Sequence, residues 1–284
     1  MTTVATSSSV DAARLGFSVQ RLERLHRQIE LFVDEGKHGG ISTLLIRKGE
    51  VADFFTMGLR DRQHGLPIQS DTIVRIYSLT KIITSVAAVT LIEEGKLGLS
   101  DPIKEYLPEF SDMKIFAGGT AQHRELIPAE VAITVHHLFT HTSGFSYGDD
   151  GEPIDELYRA AGGEKAESLA EFVKMLAALP LKREPGTAYE YGFSTDILAR
   201  VVEVVSGRPF DLFLKERILD PLGMVDTNFS VDQAKRDRLA KVYEHGKNGE
   251  LQAVDNFEFE VIEGVKKFPM GGAGLFSTIE DYSR

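Results

Sequence analysis

"RIYSLTKIITSVAAVTLIEEGKLGLSDPI", residues 75–103, is the stretch of this chain that decides the fold. In it, Ser78 stands three positions before Lys81, and an apolar run almost free of charge follows. This pattern predicts a helix over residues 80–94 that ends at Gly95. Because residues three apart on a helix lie on the same face, the amine of Lys81 can reach the hydroxyl of Ser78. The low charge of the run predicts that Lys81 is buried together with the serine.

A serine and a lysine at the same spacing also occur at Ser111 and Lys114, so the context has to distinguish the two pairs. An arbitrary pair of this kind is usually a capping serine and a solvated lysine. Ser111 follows a proline-containing loop and precedes no helical run, whereas Ser78 opens a long apolar helix. Burial and the helix start would favour a neutral, basic Lys81 and would stabilise an oxyanion. We therefore predict that Ser78 is a nucleophile and Lys81 its basic partner.

The composition excludes several classes of function. The 284 residues are 42% hydrophobic, which is enough for a sizeable core. A net charge of -11 without a basic patch argues against a nucleic-acid partner. The absence of cysteine excludes disulfides, thiolate metal sites and a cysteine nucleophile. Residues 1–10 lack the pattern of a signal peptide, and no run of about 18 apolar residues follows, so we expect a soluble, cytoplasmic protein with no membrane partner.

The order of apolar patterns predicts an α+β organisation. We expect a flexible Ser/Thr-rich tail over residues 1–10, then an amphipathic helix and a hairpin over residues 11–70. Residues 71–270 read as a mainly helical domain that carries the serine and tyrosine motifs. Residues 271–284 begin a return to the first part and are cut short. No pattern specifies an oligomeric state.

Several segments of the chain occur in an order typical of one known family. They are "RIYSLTKIITSVAAVTLIEEGKLGLSDPIKEYLPEF" (75–110), "LFTHTSGF" (138–145), "EPGTAYEYGFSTDILARVVEVVSGRPF" (184–210), "ILDPLGM" (218–224) and "GGAGLFSTIEDYSR" (271–284). The series resembles the class C β-lactamases and penicillin-binding-protein-like serine hydrolases, most closely the family VIII carboxylesterases. The resemblance implies a β-lactamase/transpeptidase-like α+β fold, with an antiparallel sheet flanked by helices, a mainly helical domain and no cofactor.

The resemblance also implies a second motif, Tyr-x-Asn, a few residues after a Pro-Gly pair. Matching "PGT" at residues 185–187 places Tyr191 at the tyrosine position and Phe193 at the asparagine position. In the family this tyrosine is the candidate base. Tyr189 is the alternative in register, and a structural role for Tyr191 stays open. Because phenylalanine cannot hydrogen-bond a lactam side chain as an amide would, Phe193 favours ester over β-lactam substrates.

A third motif implied by the resemblance is not found in the chain. It would be a Lys-Thr-Gly, His-x-Gly or Trp-Gly-Gly triplet on a strand that follows the "STIEDYSR" segment and supplies a second oxyanion-hole amide. Ser277 and Glu280 have the spacing of a capping box, yet the chain has only about two turns left. We therefore expect a truncated chain that lacks the C-terminal strands and helix.

A rival nucleophile is Ser146 in "GFSYG", residues 144–148, which fits the G-x-S-x-G elbow. That motif works only on a sharp turn between a buried strand and a helix. Here "VHHLFTHTS" reads as a short helix before it and "DDGEP" as an acidic loop after it. We expect Ser146 to lie at a turn near the site.

Two further patterns suggest ligands and are interpreted otherwise. His136, His137 and His141 lack the glutamate of a zincin motif and a nearby third ligand, so packing histidines with satisfied hydrogen bonds are expected. "MGGAG", from Met270, lacks the lysine of a phosphate-binding loop. Its glycines are expected to allow close approach of the backbone to a cleft.

The residues and the resemblance together predict a serine hydrolase, a carboxylesterase for short-chain or aromatic esters. Ser78 would attack the ester, Lys81 and Tyr191 would share the proton transfers, and water would cleave the acyl-enzyme. The expected partner is a small-molecule ester. The alternatives are a β-lactamase or D-amino-acid peptidase of the same fold, and a catalytically inactive truncated homologue or binding module.

Overall fold

The computed structural model describes residues 5–8, 12–161, 166–254 and 268–284 of the chain. Residues 5–8 are described by their backbone alone. In these ranges the strands are β1 Ala5–Ser8, β2 Gly40–Arg47, β3 Glu50–Asp61, β4 Leu66–Pro67, β5 Val74–Arg75, β6 Lys114–Gly119, β7 Arg124–Pro128, β8 Val242–His245, β9 Leu251–Val254 and β10 Phe276–Ser277. The α-helices there are α1 Val19–Asp34, α2 Thr80–Glu93, α3 Val135–Phe139, α4 Asp155–Ala160, α5 Leu169–Ala177, α6 Ser194–Ser206, α7 Phe210–Leu214, α8 Asp220–Leu222 and α9 Ile279–Tyr282. Short 3-10 helices cover Tyr77–Leu79, Ile103–Glu105, Pro108–Phe110 and Gln233–Arg238, and a π-helical turn covers Lys215–Leu219.

The chain divides into two compact units. The first consists of the described residues of Met1–Arg75, Gly223–Glu258 and Phe276–Arg284, and the second of those of Ile76–Leu222 and Phe259–Leu275. This division differs from the predicted helical domain over residues 71–270, because the β8–β9 hairpin groups with the first unit. Neither strand of this hairpin alternates between more and less buried side chains. The periodicity of the sequence therefore did not predict it.

The first unit is built on an antiparallel sheet of order β1-β3-β2, with β4 also paired to β3. The predicted hairpin is confirmed, since Arg47 of β2 pairs with Glu50 of β3 across a tight turn. α1 is amphipathic, and its Ile29 lies in a buried cluster with Phe55 and Met57 of β3. Burying one face of this sheet under α1 stabilises both elements, because neither is stable alone in water.

Two details of the first unit correct the expectations. Residues Ala5–Ser8 lie within the predicted tail and instead pair with β3 as strand β1. The final helix, α9, is capped by Thr278, whose hydroxyl accepts from the amide of Asp281 at 3.1 Å. The predicted cap at Ser277 is therefore wrong by one position. Ser277 is part of β10, which pairs with β5.

The second unit is mainly helical, as predicted, with α2 packed against α6 near its centre. Its helices α4, α5 and α6 have the sequences "DELYRA", "LAEFVKMLA" and "STDILARVVEVVS". α2 spans Thr80–Glu93, and Gly95 follows it with a left-handed φ of 68°. A hairpin formed by β6 and β7 was not predicted. None of the helices in the described ranges is long and apolar enough to span a lipid bilayer.

Candidate active site

Ser78 lies in the 3-10 turn Tyr77–Leu79, directly before α2. Tyr77 has a φ of 46°, in the left-handed region that non-glycine residues rarely adopt. The turn is held from outside because the amide of Ile76 donates to the carbonyl of Leu275 at 3.0 Å. Backbone strain of this kind persists only where the surroundings enforce it, and it clusters at functional sites.

The exposure of the pair differs from the expectation. Ser78 is exposed and Lys81 is half-buried, whereas the sequence predicted that both are buried. The reason is that Ser78 precedes the first residue of α2 and projects from the 3-10 turn. An exposed hydroxyl is accessible to a substrate.

Lys81 connects three parts of the second unit. Its Nζ donates to Ser78 Oγ at 3.1 Å, to Tyr147 Oη at 3.0 Å and to the carbonyl oxygen of Gly272 at 2.8 Å. An ammonium group has three donors, so each of them has an acceptor here. The predicted spatial pair of Ser78 and Lys81 is present.

Tyr191 approaches the serine from the segment before α6. Its hydroxyl donates to Ser78 Oγ at 2.8 Å, and the Nζ of Lys81 lies 4.7 Å from the centre of its ring. Burial alone would raise the pKa of Tyr191, but its interactions with Lys81 and Ser78 outweigh burial and lower the pKa below the ordinary value. Tyr189, the alternative in register, is 67% exposed, and it is Tyr191 that contacts Ser78.

Tyr147 is a residue of the site that sequence reasoning missed. Its hydroxyl accepts from Lys81, and its ring lies edge-on to that of Tyr191 at 5.4 Å. Burial raises the pKa of Tyr147, and the nearby charge of Asp196 raises it further. The pKa values of the two tyrosines that contact Lys81 are thus shifted in opposite directions, that of Tyr191 down and that of Tyr147 up. Opposite shifts are typical of groups with different roles in proton transfer. The only signal in the sequence was its place in the glycine-bounded "GFSYG", a motif in which the nucleophile candidate is Ser146.

Phe193 packs where the resemblance would place an asparagine. Its ring lies edge-on to Tyr147 at 4.6 Å and to the fully buried Phe172 at 5.4 Å. Phe193 thus supports the ring of Tyr147, and the hydroxyl of Tyr147 hydrogen-bonds Lys81.

The glycines of "MGGAG" allow close approach of the backbone to the site, as predicted. The amide of Gly272 donates to Asp196 Oδ1 at 2.9 Å, and the carbonyl of Gly271 accepts from Thr84 Oγ1 at 2.7 Å. A Cβ atom at Gly272 would lie 2.5 Å from Asp196 Oδ2 and 3.0 Å from Tyr147 Oη. A side chain at Gly272 would force these neighbours to move, because real Cβ atoms essentially never lie within 3.0 Å of another heavy atom.

The hydroxyls of the two rival serines bond to neighbouring backbone groups instead of to Lys81 or Tyr191. Ser146 is buried, and its Oγ accepts from the amide of Gly148 at 3.0 Å. Ser111 donates to the carbonyl of Pro108 at 2.7 Å, and Lys114 pairs instead with Asp112 at 3.1 Å. The second serine and lysine at this spacing therefore do not meet, since Lys114 lies in a strand.

The histidines do not share one environment. His137 Nδ1 accepts from the amide of Thr134 at 3.2 Å, and Thr134 Oγ1 accepts from the amide of His137, so His137 caps α3 as an ordinary packing histidine. Within the described ranges, no group of three or more histidine, cysteine or acidic side chains is arranged to hold a metal ion. His141 has no such cap partner and lies beside Tyr191.

The chemistry available to this arrangement is nucleophilic. The hydroxyl of Ser78 contacts a tyrosine whose pKa is lowered and a lysine that can stabilise the phenolate. A nucleophile, a base and an orienting group within hydrogen-bond reach are what acyl transfer through a covalent intermediate requires.

The chain is similar to several known proteins over most of its length. Residues 25–284 match the family model described as beta-lactamase. The chain is 32% identical over 256 residues to protein Rv1367c from Mycobacterium tuberculosis, an alignment that covers 88% of this chain and 62% of that relative. It is 31% identical over 297 residues to esterase EstB from Burkholderia gladioli, with 98% of this chain and 71% of EstB covered.

Among solved structures, EstCE1, described as a hydrolase with promiscuous acyltransferase activity, is similar with a TM-score of 0.76. The identity to it is 27%, and the match covers 96% of this chain and 72% of EstCE1. The predicted α+β, β-lactamase/transpeptidase-like fold is confirmed by these similarities. Because the family model spans nearly all of its residues, the chain belongs to the beta-lactamase family.

Proposed function

We propose that this protein is a carboxylesterase that cleaves small esters through an acyl-enzyme on Ser78. The observation that carries the proposal is the 2.8 Å hydrogen bond between Tyr191 Oη and Ser78 Oγ, with Lys81 Nζ 3.1 Å from the same serine oxygen. A tyrosine of lowered pKa can accept the serine proton more readily than an ordinary tyrosine.

In the proposed reaction, ionised Tyr191 takes the proton of Ser78 while Ser78 Oγ attacks the ester carbonyl. Collapse of the tetrahedral intermediate breaks the bond to the alkoxy oxygen, which receives the proton from Tyr191 and leaves as an alcohol. Water then gives a proton to Tyr191 and attacks the acyl-enzyme, and the proton returns to Ser78 as the carboxylic acid leaves. Lys81 stabilises the phenolate in the stages in which Tyr191 is ionised.

Phe193 supports ester over β-lactam substrates. An amide at this position could hydrogen-bond a lactam side chain, whereas the Phe193 ring packs edge-on to Tyr147 and presents no donor or acceptor. We expect p-nitrophenyl butyrate to be turned over faster than a chromogenic cephalosporin. Faster turnover of the cephalosporin would favour a β-lactamase instead.

A fluorophosphonate probe tests the nucleophile directly. We expect it to label the parent protein at Ser78 and to leave a Ser78→Ala variant unlabelled. Ser111→Ala is the matched control, because Ser111 is the exposed serine of the other pair at this spacing. Labelling at Ser146, or equal labelling of Ser78→Ala, would disprove the assignment.

Acyl transfer to an alcohol is a second candidate activity. Ser78 is exposed, so an acyl group on it can be reached by acceptors larger than water. EstCE1, which is similar in fold, is described as having promiscuous acyltransferase activity. The ratio of new ester to free acid, measured with increasing amounts of a primary alcohol, distinguishes transfer from hydrolysis alone.

A further inference from the structure

His141 holds an unusual backbone conformation next to the candidate site. It follows α3 and has a φ of 52°, a left-handed value in which histidine is one of the few tolerated non-glycine residues. Its carbonyl oxygen accepts from the amide of Glu190 at 2.7 Å. The main chain of His141 is therefore tied to the residue directly before Tyr191.

The side chain of His141 packs against two tyrosines. Its ring centre lies 4.8 Å from that of Tyr191, tilted by 38°, and 5.9 Å from that of Tyr189. Nδ1 of His141 is buried, and among the described residues it has no hydrogen-bond partner. A buried polar atom without a partner costs free energy, so the packing of the ring has to offset that cost.

The charge state of His141 suits this packing. Burial, together with the positive charge of Lys81, lowers the pKa of His141 to about 4. The ring is therefore neutral at neutral pH and does not repel the Lys81 ammonium. Tyr191 is 40% exposed, and the rings of His141 and Tyr147 pack against it, so loss of the His141 ring gives its phenol more freedom to rotate away from Ser78.

We propose that His141 is a positioning residue, whose neutral ring holds the phenol of Tyr191 against Ser78. The inference rests on the proposed role of Tyr191 as the base and assigns no proton transfer to His141. The described contacts of His141 include no hydrogen bond to Ser78 or Lys81, which argues against a role as a second base. A shift of about 1 Å in a reacting group can cost on the order of a hundredfold in rate. Packing of the His141 ring therefore has to prevent only a small displacement of the Tyr191 phenol to affect the rate.

Two substitutions of His141 distinguish the contribution of its ring from that of its ring nitrogens. His141→Asn keeps a residue that tolerates the left-handed conformation and removes the ring, and His141→Phe keeps a flat ring and removes both nitrogens. We expect His141→Asn to lower kcat for p-nitrophenyl butyrate by about 10- to 100-fold with little change in KM. His141→Phe should restore most of that loss.

A spectroscopic readout is independent of turnover. The phenolate absorbance of the parent minus that of Tyr191→Phe, followed during alkaline titration, isolates the ionisation of Tyr191. In His141→Asn this ionisation should move to higher pH, because Tyr191 would spend less time beside Lys81. In His141→Phe it should stay where it is in the parent.

The outcomes are separable. Full kcat and an unchanged Tyr191 titration in His141→Asn would overturn the positioning role. If Tyr191→Phe keeps full turnover while the titration still moves in His141→Asn, the proposed function fails and the positioning role stands. If His141→Asn does not fold, His141→Gly, which also removes the ring and tolerates the left-handed conformation, replaces it in both measurements.

Discussion

The phenol oxygen of Tyr191 lies 2.8 Å from the hydroxyl oxygen of Ser78, although 113 positions separate the two residues in the chain. Ser78 comes from the turn before α2 and Tyr191 from the segment before α6. The packing of α2 against α6 brings these two helix starts together. The contact of Ser78 with Tyr191 therefore depends on the packing of two helices, whereas its contact with Lys81 depends on local spacing.

Tyr191→Phe should remove activity and leave the fold intact. The substitution keeps the ring and removes the one atom that contacts Ser78, so turnover of p-nitrophenyl butyrate should fall by roughly 100- to 10,000-fold. Tyr189→Phe is the matched control, because Tyr189 is 67% exposed and should keep near-full turnover. A Tyr191→Phe variant that melts normally and turns over at the parent rate would make Tyr191 structural.

The rate should rise with pH as Tyr191 ionises. Below its pKa the phenol carries a proton and cannot accept one from Ser78, and above it the phenolate can. Because the pKa of Tyr191 is lowered from the ordinary 10.0, kcat/KM should reach its plateau at a lower pH than an ordinary tyrosine would allow. The rate of Ser78→Ala is subtracted to remove spontaneous hydrolysis. A midpoint at or above 10 would contradict the assignment.

Gly272→Ala should displace the groups that hydrogen-bond Lys81 in the candidate site. The new methyl would lie 2.5 Å from Asp196 Oδ2 and 3.0 Å from Tyr147 Oη, so these side chains or the backbone have to shift, and both Tyr147 Oη and the Gly272 carbonyl are acceptors of Lys81. We expect a loss of about 1 to 3 kcal/mol in unfolding free energy, together with lower turnover. Urea denaturation measures the first and ester hydrolysis the second.

Gly118→Ala is the matched control for that change. The nearest heavy atom to a new methyl there is Glu125 Oε2, at 3.9 Å. Its unfolding free energy should stay within about 0.5 kcal/mol of the parent. Equal losses in the two variants would mean that the close approach at Gly272 does not constrain the site.

Lys182→Met should destabilise the protein strongly. The side chain of Lys182 is 1% exposed and lies within 4 Å of acidic groups, among them Glu190 at 3.2 Å and the fully buried Asp155 at 3.7 Å. Removing one partner of a buried ion pair leaves uncompensated charge and typically costs about 3 to 5 kcal/mol. The urea midpoint should fall accordingly. Arg183→Gln, at an exposed neighbour, should change it little, and equal midpoints for both variants would refute the role of Lys182.

The sequence by itself determined the pair of Ser78 and Lys81. Helical geometry fixes the distance between residues three apart, so the pattern and the apolar run after it were sufficient. The same local logic predicted α1 and the β2–β3 hairpin. The resemblance to serine hydrolases added Tyr191, which no local pattern indicates.

Only the tertiary structure decided that Tyr147 lies beside Lys81 and His141 beside Tyr191 in the candidate site. Tyr147 reaches Lys81 across 66 positions, and His141 reaches Tyr191 through a left-handed residue after a short helix. Such contacts depend on how loops close between packed helices, and the free energy of closing a loop carries no signature in the spacing of residues. The exposure of Ser78 was decided in the same way, because Ser78 lies in the 3-10 turn before α2 and not on the helix itself.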